Sequence, residues 1–165
     1  MRRCHLSIGF LLLLITIATI SGCRLPFCPG SENPYVVIDS PPYRPGLPTF
    51  SRIIVFKWHA SPGHAICATR YLLTALIDSN GVYNPEFDII GDLNANPWRY
   101  EDTWSPWMPY STKWGTGCKA CVEAPEVGKV YLFAVQAKDI CGRVTQQFEL
   151  ARDAFIFMVS PYTYP

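Results

Sequence analysis

The chain has 165 residues, enough for one domain plus an export segment or a tail, and its 14 Lys+Arg nearly balance 13 Asp+Glu. Charged residues make up only 16%, aromatics reach 14% and there are 15 prolines, a profile that suits an all-β extracytoplasmic domain with many rigid loops. Without Arg2 and Arg3, which belong to the leader described next, 12 basic residues face 13 acidic ones. A nearly neutral body with no basic cluster argues against nucleic acid as a partner, because phosphate binding is mainly electrostatic.

The first segment has the order that export requires. Arg2 and Arg3 give a positive start, Ile8 to Ile20 form an apolar stretch centred on Leu11 to Leu14, and small residues then precede a cysteine. The apolar run is short for a membrane-spanning helix. Ile20-Ser21-Gly22-Cys23 resembles the lipobox of bacterial lipoproteins, in which the cysteine sulfur accepts a diacylglycerol and the chain is cut just before it. The alternative is an ordinary signal peptide cut nearby, which leaves Cys23 as a disulfide partner. The lipobox resemblance implies a cell-envelope protein held to a membrane by lipid on Cys23. By similarity to the enterobacterial sorting rule, Arg24 favours the outer membrane in a host with two membranes. The expected organisation is a signal peptide at 1–22, a Pro/Gly-rich tether at 23–34, a β-domain at 35–160 and a tail at 161–165.

Along the mature chain, Pro26, Pro29-Gly30 and Pro41-Pro42 read as tether and turns. Between them, Tyr35 to Asp39 is β-branched and predicts a first edge strand. Ile53 to Trp58 predicts the next strand, with Phe56 and Trp58 sharing a face and Lys57 pointing away. Ser61-Pro62-Gly63 makes a turn. Cys67 to Asp78 then predicts a long strand with Tyr71, Leu73, Ala75 and Ile77 on one side, and Arg70, Leu72, Thr74 and Leu76 on the other. Ser79-Asn80-Gly81 closes it.

Residues 82–116 are the least regular. Phe87 to Leu93 fits a short helix or a weak strand, and an aromatic, proline-broken region follows with Trp98, Tyr100, Trp104, Trp107, Tyr110 and Trp114. It reads as a long ordered loop with one short strand around Trp104 to Tyr110. From Gly128 to Gly142 the pattern is clear again: Tyr131, Phe133, Val135 and Ala137 recur at every second position and predict one buried face. Asp139 and Gly142 supply the turn after it. Ala154 to Val159 predicts a final apolar strand.

Tyr-x-Phe-x-Val-x-Ala-x-Asp-x-x-Gly at Tyr131 to Gly142 resembles the penultimate strand of fibronectin type III and related immunoglobulin-like sandwiches. Trp58 resembles the core tryptophan of their second strand, and Trp104-Ser-Pro-Trp107 is similar to a segment between the third strand and the penultimate pair in some bacterial members. The resemblance covers Tyr35 to Val159. It implies an antiparallel β-sandwich with one long aromatic-rich loop insertion, in which the tyrosine packs at a corner. Domains of this class serve as spacers, interaction modules or parts of assemblies, and the fold itself names no function.

With Cys4 in the leader and Cys23 lipidated, Cys28, Cys67, Cys118, Cys121 and Cys141 remain, an odd number in an oxidising compartment. The sandwich resemblance puts Cys67 and Cys141 in loops at one end and so implies a Cys67–Cys141 disulfide, stabilising by about 3–4 kcal/mol in the chain-entropy model. Cys118-Lys119-Ala120-Cys121 admits a redox site or a local structural disulfide. Redox chemistry wants a helix N-terminus to depress the thiol pKa, whereas this segment reads as loop into strand. His59, His64, Cys67 and Cys141 admit a tetrahedral zinc site, but their spacing matches no familiar module, so no metal ligand set is expected.

Glu86, Asp88, Asp92, Glu101 and Asp102 read as solvated loop acids, and no phosphate loop, zinc-protease helix or serine elbow is present. No cofactor and no catalysis are expected. Trp98, Trp104, Trp107 and Trp114 could form a stacking platform for a glycan or a peptide, or could instead cover the sandwich core. The sequence thus points to a non-catalytic structural or protein-interaction module at the cell envelope. Its alternatives are a glycan- or peptide-binding module and a thiol or zinc protein.

Overall fold

A computed structural model describes residues 31–42, 49–50, 53–76, 88–110, 118–123 and 126–160. The leader, Cys23, Cys28, the turn at Ser79-Asn80-Gly81, Trp114 and the tail 161–165 lie outside the described residues. The chain forms β1 (Val36–Ser40), β2 (Thr49–Phe50), β3 (Ile53–Ala60), β4 (Ile66–Ala75), helix α1 (Ile89–Ala95), a 3-10 helix (Pro97–Thr103), β5 (Met108–Pro109), β6 (Cys118–Glu123), β7 (Val130–Asp139) and β8 (Ala154–Val159). The strands make two sheets, one in the order β1-β3-β6 and the other in the order β2-β8-β7-β4-β5. Neighbours are antiparallel except β2 and β8, which pair in parallel over two residues. The molecule is all-β in two sheets with little helix, as the composition and the strand patterns predict.

Alternation builds the core between the sheets. In β3, Ile54, Phe56 and Trp58 are buried while Ile53, Lys57 and His59 are exposed. From the other sheet, Tyr131, Phe133, Val135 and Ala137 of β7 and Phe155, Phe157 and Val159 of β8 meet them. Phe133 is the hub: its ring stacks on Phe56 at 3.7 Å between centroids, on Tyr71 at 5.7 Å, and leans against Trp58 at 6.2 Å. Large rings of this kind bury more apolar area per residue than any aliphatic side chain.

The intervening residues of β7 are buried as well, which the one-faced reading of that strand did not anticipate. Val130, Leu132 and Ala134 join Leu72, Leu76 and Ala154 in a second core on the outer face of the five-stranded sheet. Ile89 and Leu93 of α1, Trp104 and Phe148 cover it. Within the described part of residues 82–116, the short helix admitted at Phe87 to Leu93 forms as α1, and the aromatic region read as a loop begins with a 3-10 helix, so that two short helices make a lid ahead of β5. Asp88 begins α1, its Oδ1 accepting from Gly91 N at 2.9 Å. Asn94 pins the lid from both sides, since its Nδ2 donates to Phe148 O and its Oδ1 accepts from Phe148 N.

Other boundaries shift modestly. The first strand is Val36–Ser40 rather than Tyr35 to Asp39, and the long strand expected over Cys67 to Asp78 runs Ile66–Ala75. The strand expected around Trp104 to Tyr110 contracts to Met108–Pro109, preceded by a single bridge between Trp104 and Leu72. Prolines at 106 and 109 limit that segment to edge pairing, since each lacks an N–H. It still follows β4 closely: Ser105 N donates to Tyr71 O, Tyr71 N donates to Ser105 Oγ, and Tyr110 N donates to Cys67 O.

Candidate functional site

The densest polar arrangement lies where this segment crosses the outer face of β4 and β7. Arg70 and Gln136 are register partners on that face. The Arg70 guanidinium donates from Nε to Gln136 Oε1 at 2.7 Å and, through Nη1 and Nη2, to both carboxylate oxygens of Glu101 at 2.7 and 3.0 Å. Its Cζ stands 5.1 Å from the Trp104 ring centroid and 4.7 Å from that of Trp107, and Lys138 Nζ approaches the Trp107 ring at 5.6 Å. Gln136 Nε2 donates onward to Thr145 O. Hydrogen bonds from Arg70 hold the Glu101 carboxyl below its ordinary range.

This ladder decides the fate of the aromatic candidates. Trp104 is 8% exposed and lies in the second core beside Phe148. Trp107 is half-buried, with its ring engaged by two cations. The Trp98 backbone belongs to the 3-10 helix, but its side chain, like Trp114, lies outside what is described. Trp104 and Trp107 therefore clamp the lid onto the sheet, and the core-covering alternative describes Trp104. The sequence reading missed Arg70 as their partner. Its signal was weak but present: a lone arginine at an inter-apolar position of a long strand, with no neighbouring acid.

A second cluster lies under α1. The Tyr100 hydroxyl donates to Asp92 Oδ2 in a short hydrogen bond, and Asn96 Nδ2 and Arg99 also reach Asp92. That donation lowers the Asp92 pKa, while burial, aided by the same bond, pushes Tyr100 up to about 12. Asp88, Glu101 and Asp102 are exposed, as the sequence suggested, whereas Asp92 is partly buried. Asp88 caps α1, Asp92 accepts from the Tyr100 phenol, and Glu101 reaches out of the lid to the Arg70 guanidinium on β4.

At one end of the sandwich the backbone brings Cys67 and Cys141 together. Cys67 occupies the irregular position of β4, where the register with β7 shifts between Ile66 and Ala68. Cys141 lies in the turn after β7, and Ile140 N donates to Ala65 O at 2.9 Å across the two chains. Buried Asp139 shapes that turn: its Oδ1 accepts from Cys141 N and Arg143 N, its Oδ2 accepts from Arg143 Nε at 2.7 Å, and Gly142 takes a φ of 80°. Cys67 Sγ lies 3.2 Å from Asp139 O, and Cys67 and Cys141 are both in the disulfide form.

The histidines of the zinc alternative have other neighbours in this arrangement. His59 Nδ1 is 2.8 Å from Asp39 Oδ1, and the His64 ring sits 6.3 Å from that of Tyr35. Among the described residues no three histidine, cysteine, aspartate or glutamate side chains converge on one point.

Cys118 and Cys121 both fall inside β6, not in a loop before it, and the register with β3 is continuous from Trp58↔Cys118 to Ile53↔Glu123. Three steps of strand place their Cα atoms about 10 Å apart, beyond the roughly 7 Å that a disulfide spans. A local bond between them does not fit this strand, nor does a redox site that needs a helix N-terminus.

No family model, curated protein or solved structure matches this chain.

Proposed function

We propose that the chain is a lipid-anchored, extracytoplasmic module with an immunoglobulin-like or fibronectin type III-like sandwich, which acts by holding its surface in place rather than by catalysis. The observation that carries the non-catalytic reading is the internal commitment of its polar groups. Arg70, Glu101, Asp92, Asp139 and Asp153 each spend their charge on a neighbour in the same domain, as a rigid spacer or interaction scaffold requires.

The sandwich class draws support from the strand order, in which β1, β3 and β6 face β4, β7 and β8. Tyr131, near the start of β7, adds to it: its hydroxyl accepts from Glu126 N at 3.0 Å, five residues upstream, in the manner of a tyrosine corner. Pairing of Cys67 with Cys141 fits the same architecture and an oxidising compartment. The anchor reading stands on Ile20-Ser21-Gly22-Cys23 at the end of the leader, and Arg24 favours the outer membrane in a two-membrane host. A glycan- or peptide-binding role for 98–114 draws less support, because Trp104 is buried and Trp107 is engaged by Arg70 and Lys138.

The decisive experiment is mass spectrometry of the N-terminal peptide from membranes expressing the full chain. A diacylglyceryl mass on Cys23, together with release of Cys23→Ala into the soluble fraction, is expected. An unmodified Cys23, or a Cys23 in a disulfide, would overturn the anchor. The same digest, run without reductant, reads the Cys67–Cys141 linkage.

A further inference from the structure

The segment around Cys121 is self-complementary in charge. Read outward from Cys121, the chain has Ala120 and Lys119 on one side and Val122 and Glu123 on the other. Two antiparallel copies centred on Cys121 therefore set Lys119 opposite Glu123 of the second copy, Ala120 opposite its Val122, and Cys121 opposite its Cys121. The same five positions give both oppositely charged pairs, because the two-fold operation repeats each contact.

The fold puts this segment where such pairing can occur. β6 is an outer strand of the three-stranded sheet, and among the described residues only β3 lies beside it. An outer strand carries a row of backbone donors and acceptors ready for another strand. Register also fixes the face. Lys119, Cys121 and Glu123 pair with Lys57, Val55 and Ile53, and directly opposed residues of an antiparallel pair share a face. Lys57 and Ile53 are exposed, while the alternate residues Ile54, Phe56 and Trp58 are buried. The three β6 positions thus belong to the outer face of the sheet.

We propose that β6 is a homodimer edge, on which two copies of this chain form one continuous antiparallel sheet locked by a Cys121–Cys121 disulfide. Opposed Cα atoms in such a pair lie about 4.5–5.5 Å apart, within the range a disulfide accepts. The bond forms by thiol–disulfide exchange with an oxidised dithiol or glutathione-type disulfide. One Cys121 thiolate attacks it and releases one thiol; the second Cys121 thiolate then attacks the mixed disulfide and releases the other. Two protein thiols are oxidised and one external disulfide is reduced to two thiols. This also gives a use to one member of the odd cysteine set. The proposal leans on the export reading only for its oxidant, and the charge pairing stands without it.

The test uses the full chain, extracted from membranes after blocking free thiols with N-ethylmaleimide at lysis. A reductant-sensitive dimer is expected on gels, with a Cys121–Cys121 linked peptide in the digest, and Cys121→Ser removes that band. Lys119→Glu opposes two acidic pairs across the interface and is expected to cut dimer yield roughly tenfold, whereas Lys119→Glu with Glu123→Lys restores it. Thermal unfolding of each variant separates loss of dimer from loss of fold. If that control shows Lys119→Glu unfolded, Glu123→Lys serves as the single swap. A chain that stays monomeric with Cys121 alkylated, a Cys121 linked elsewhere, or a dimer indifferent to the charge swap would overturn the proposal. A monomer bearing lipid on Cys23 would do so while leaving the anchor intact.

Discussion

The two faces of the five-stranded sheet are buried by different means. Between the sheets, every buried residue of the core comes from a strand, and the residues recur at every second position along β3, β7 and β8. On the outer face the strands supply only half of the core, and Leu76 just past β4, a helix, an isolated tryptophan and a phenylalanine in an irregular stretch supply the rest. The first core assembles from long-range strand pairing. The second requires that sheet to exist before the lid has anything to cover, so it should behave as the more separable unit.

Substitution at the hub of the first core should therefore unfold the molecule as a whole. Phe133→Ala removes the ring that stacks on Phe56 and Tyr71, at a cost of about 3–5 kcal/mol. Chemical denaturation with hydrogen exchange is expected to show lost protection in both sheets together. Leu93 is fully buried, but beneath the lid. Leu93→Ala should cost about 2–4 kcal/mol, with exchange rising first in residues 88–104 while β3 and β7 keep their protection. Equal loss of protection in both regions for the two variants would merge the two cores into one cooperative unit.

The ladder that fastens the lid gives a third, smaller effect. Arg70→Met keeps the packing volume but deprives Glu101 and buried Gln136 of their donor and removes the cation from Trp104 and Trp107. A loss of about 2–3 kcal/mol is expected, read by urea unfolding and by a change in tryptophan fluorescence as the indoles gain water. An unchanged emission would mean that the rings hold the lid without the guanidinium.

This difference between the cores also explains what was readable beforehand. Alternation in Ile53 to Trp58 and in Tyr131 to Ala137 is a local pattern, and each residue's face follows from its neighbours alone. Ala154 to Val159 reads as a strand for the same reason, and its bounds agree with β8. The unbroken apolar run Val130 to Val135 is local and admits burial on both faces, but the cover over Val130, Leu132 and Ala134 comes from Leu93, Trp104 and Phe148, up to 41 positions away in the chain. The same limit hid the candidate site. Arg70, Glu101 and Gln136 are unremarkable singly and become a ladder only when β4, β7 and the 3-10 helix meet. Cys121 reads as half of a local Cys-x-x-Cys disulfide because that motif is read by spacing, whereas its strand geometry and register with Val55 separate it from Cys118.

The smallest expected effect concerns the junction of the two cores. Asp153 precedes β8, where Ala154 turns into the outer core and Phe155 into the inner one, and its own carbonyl accepts from Val135 N. Its carboxylate is fully buried, accepting from Glu149 N at 2.8 Å and from Arg152 Nη2 at 3.0 Å. Burial outweighs these partners and pushes the pKa up from 3.8 to about 6. Because the folded form binds this proton more tightly than the unfolded chain, Asp153 favours folding most below pH 4. That contribution declines as pH rises, up to about pH 6, by about 2 kcal/mol. Asp92 and Glu101, whose pKa values are lowered, push in the opposite direction at the acid end. The comparison is therefore between the wild type and Asp153→Asn, in urea melts at steps from pH 4 to pH 7. The variant should gain on the wild type by that amount across the window, with most of the gain complete by pH 6. Parallel curves would mean that the junction tolerates the charge, and that the two cores are joined there by the Arg152 contact rather than strained by it.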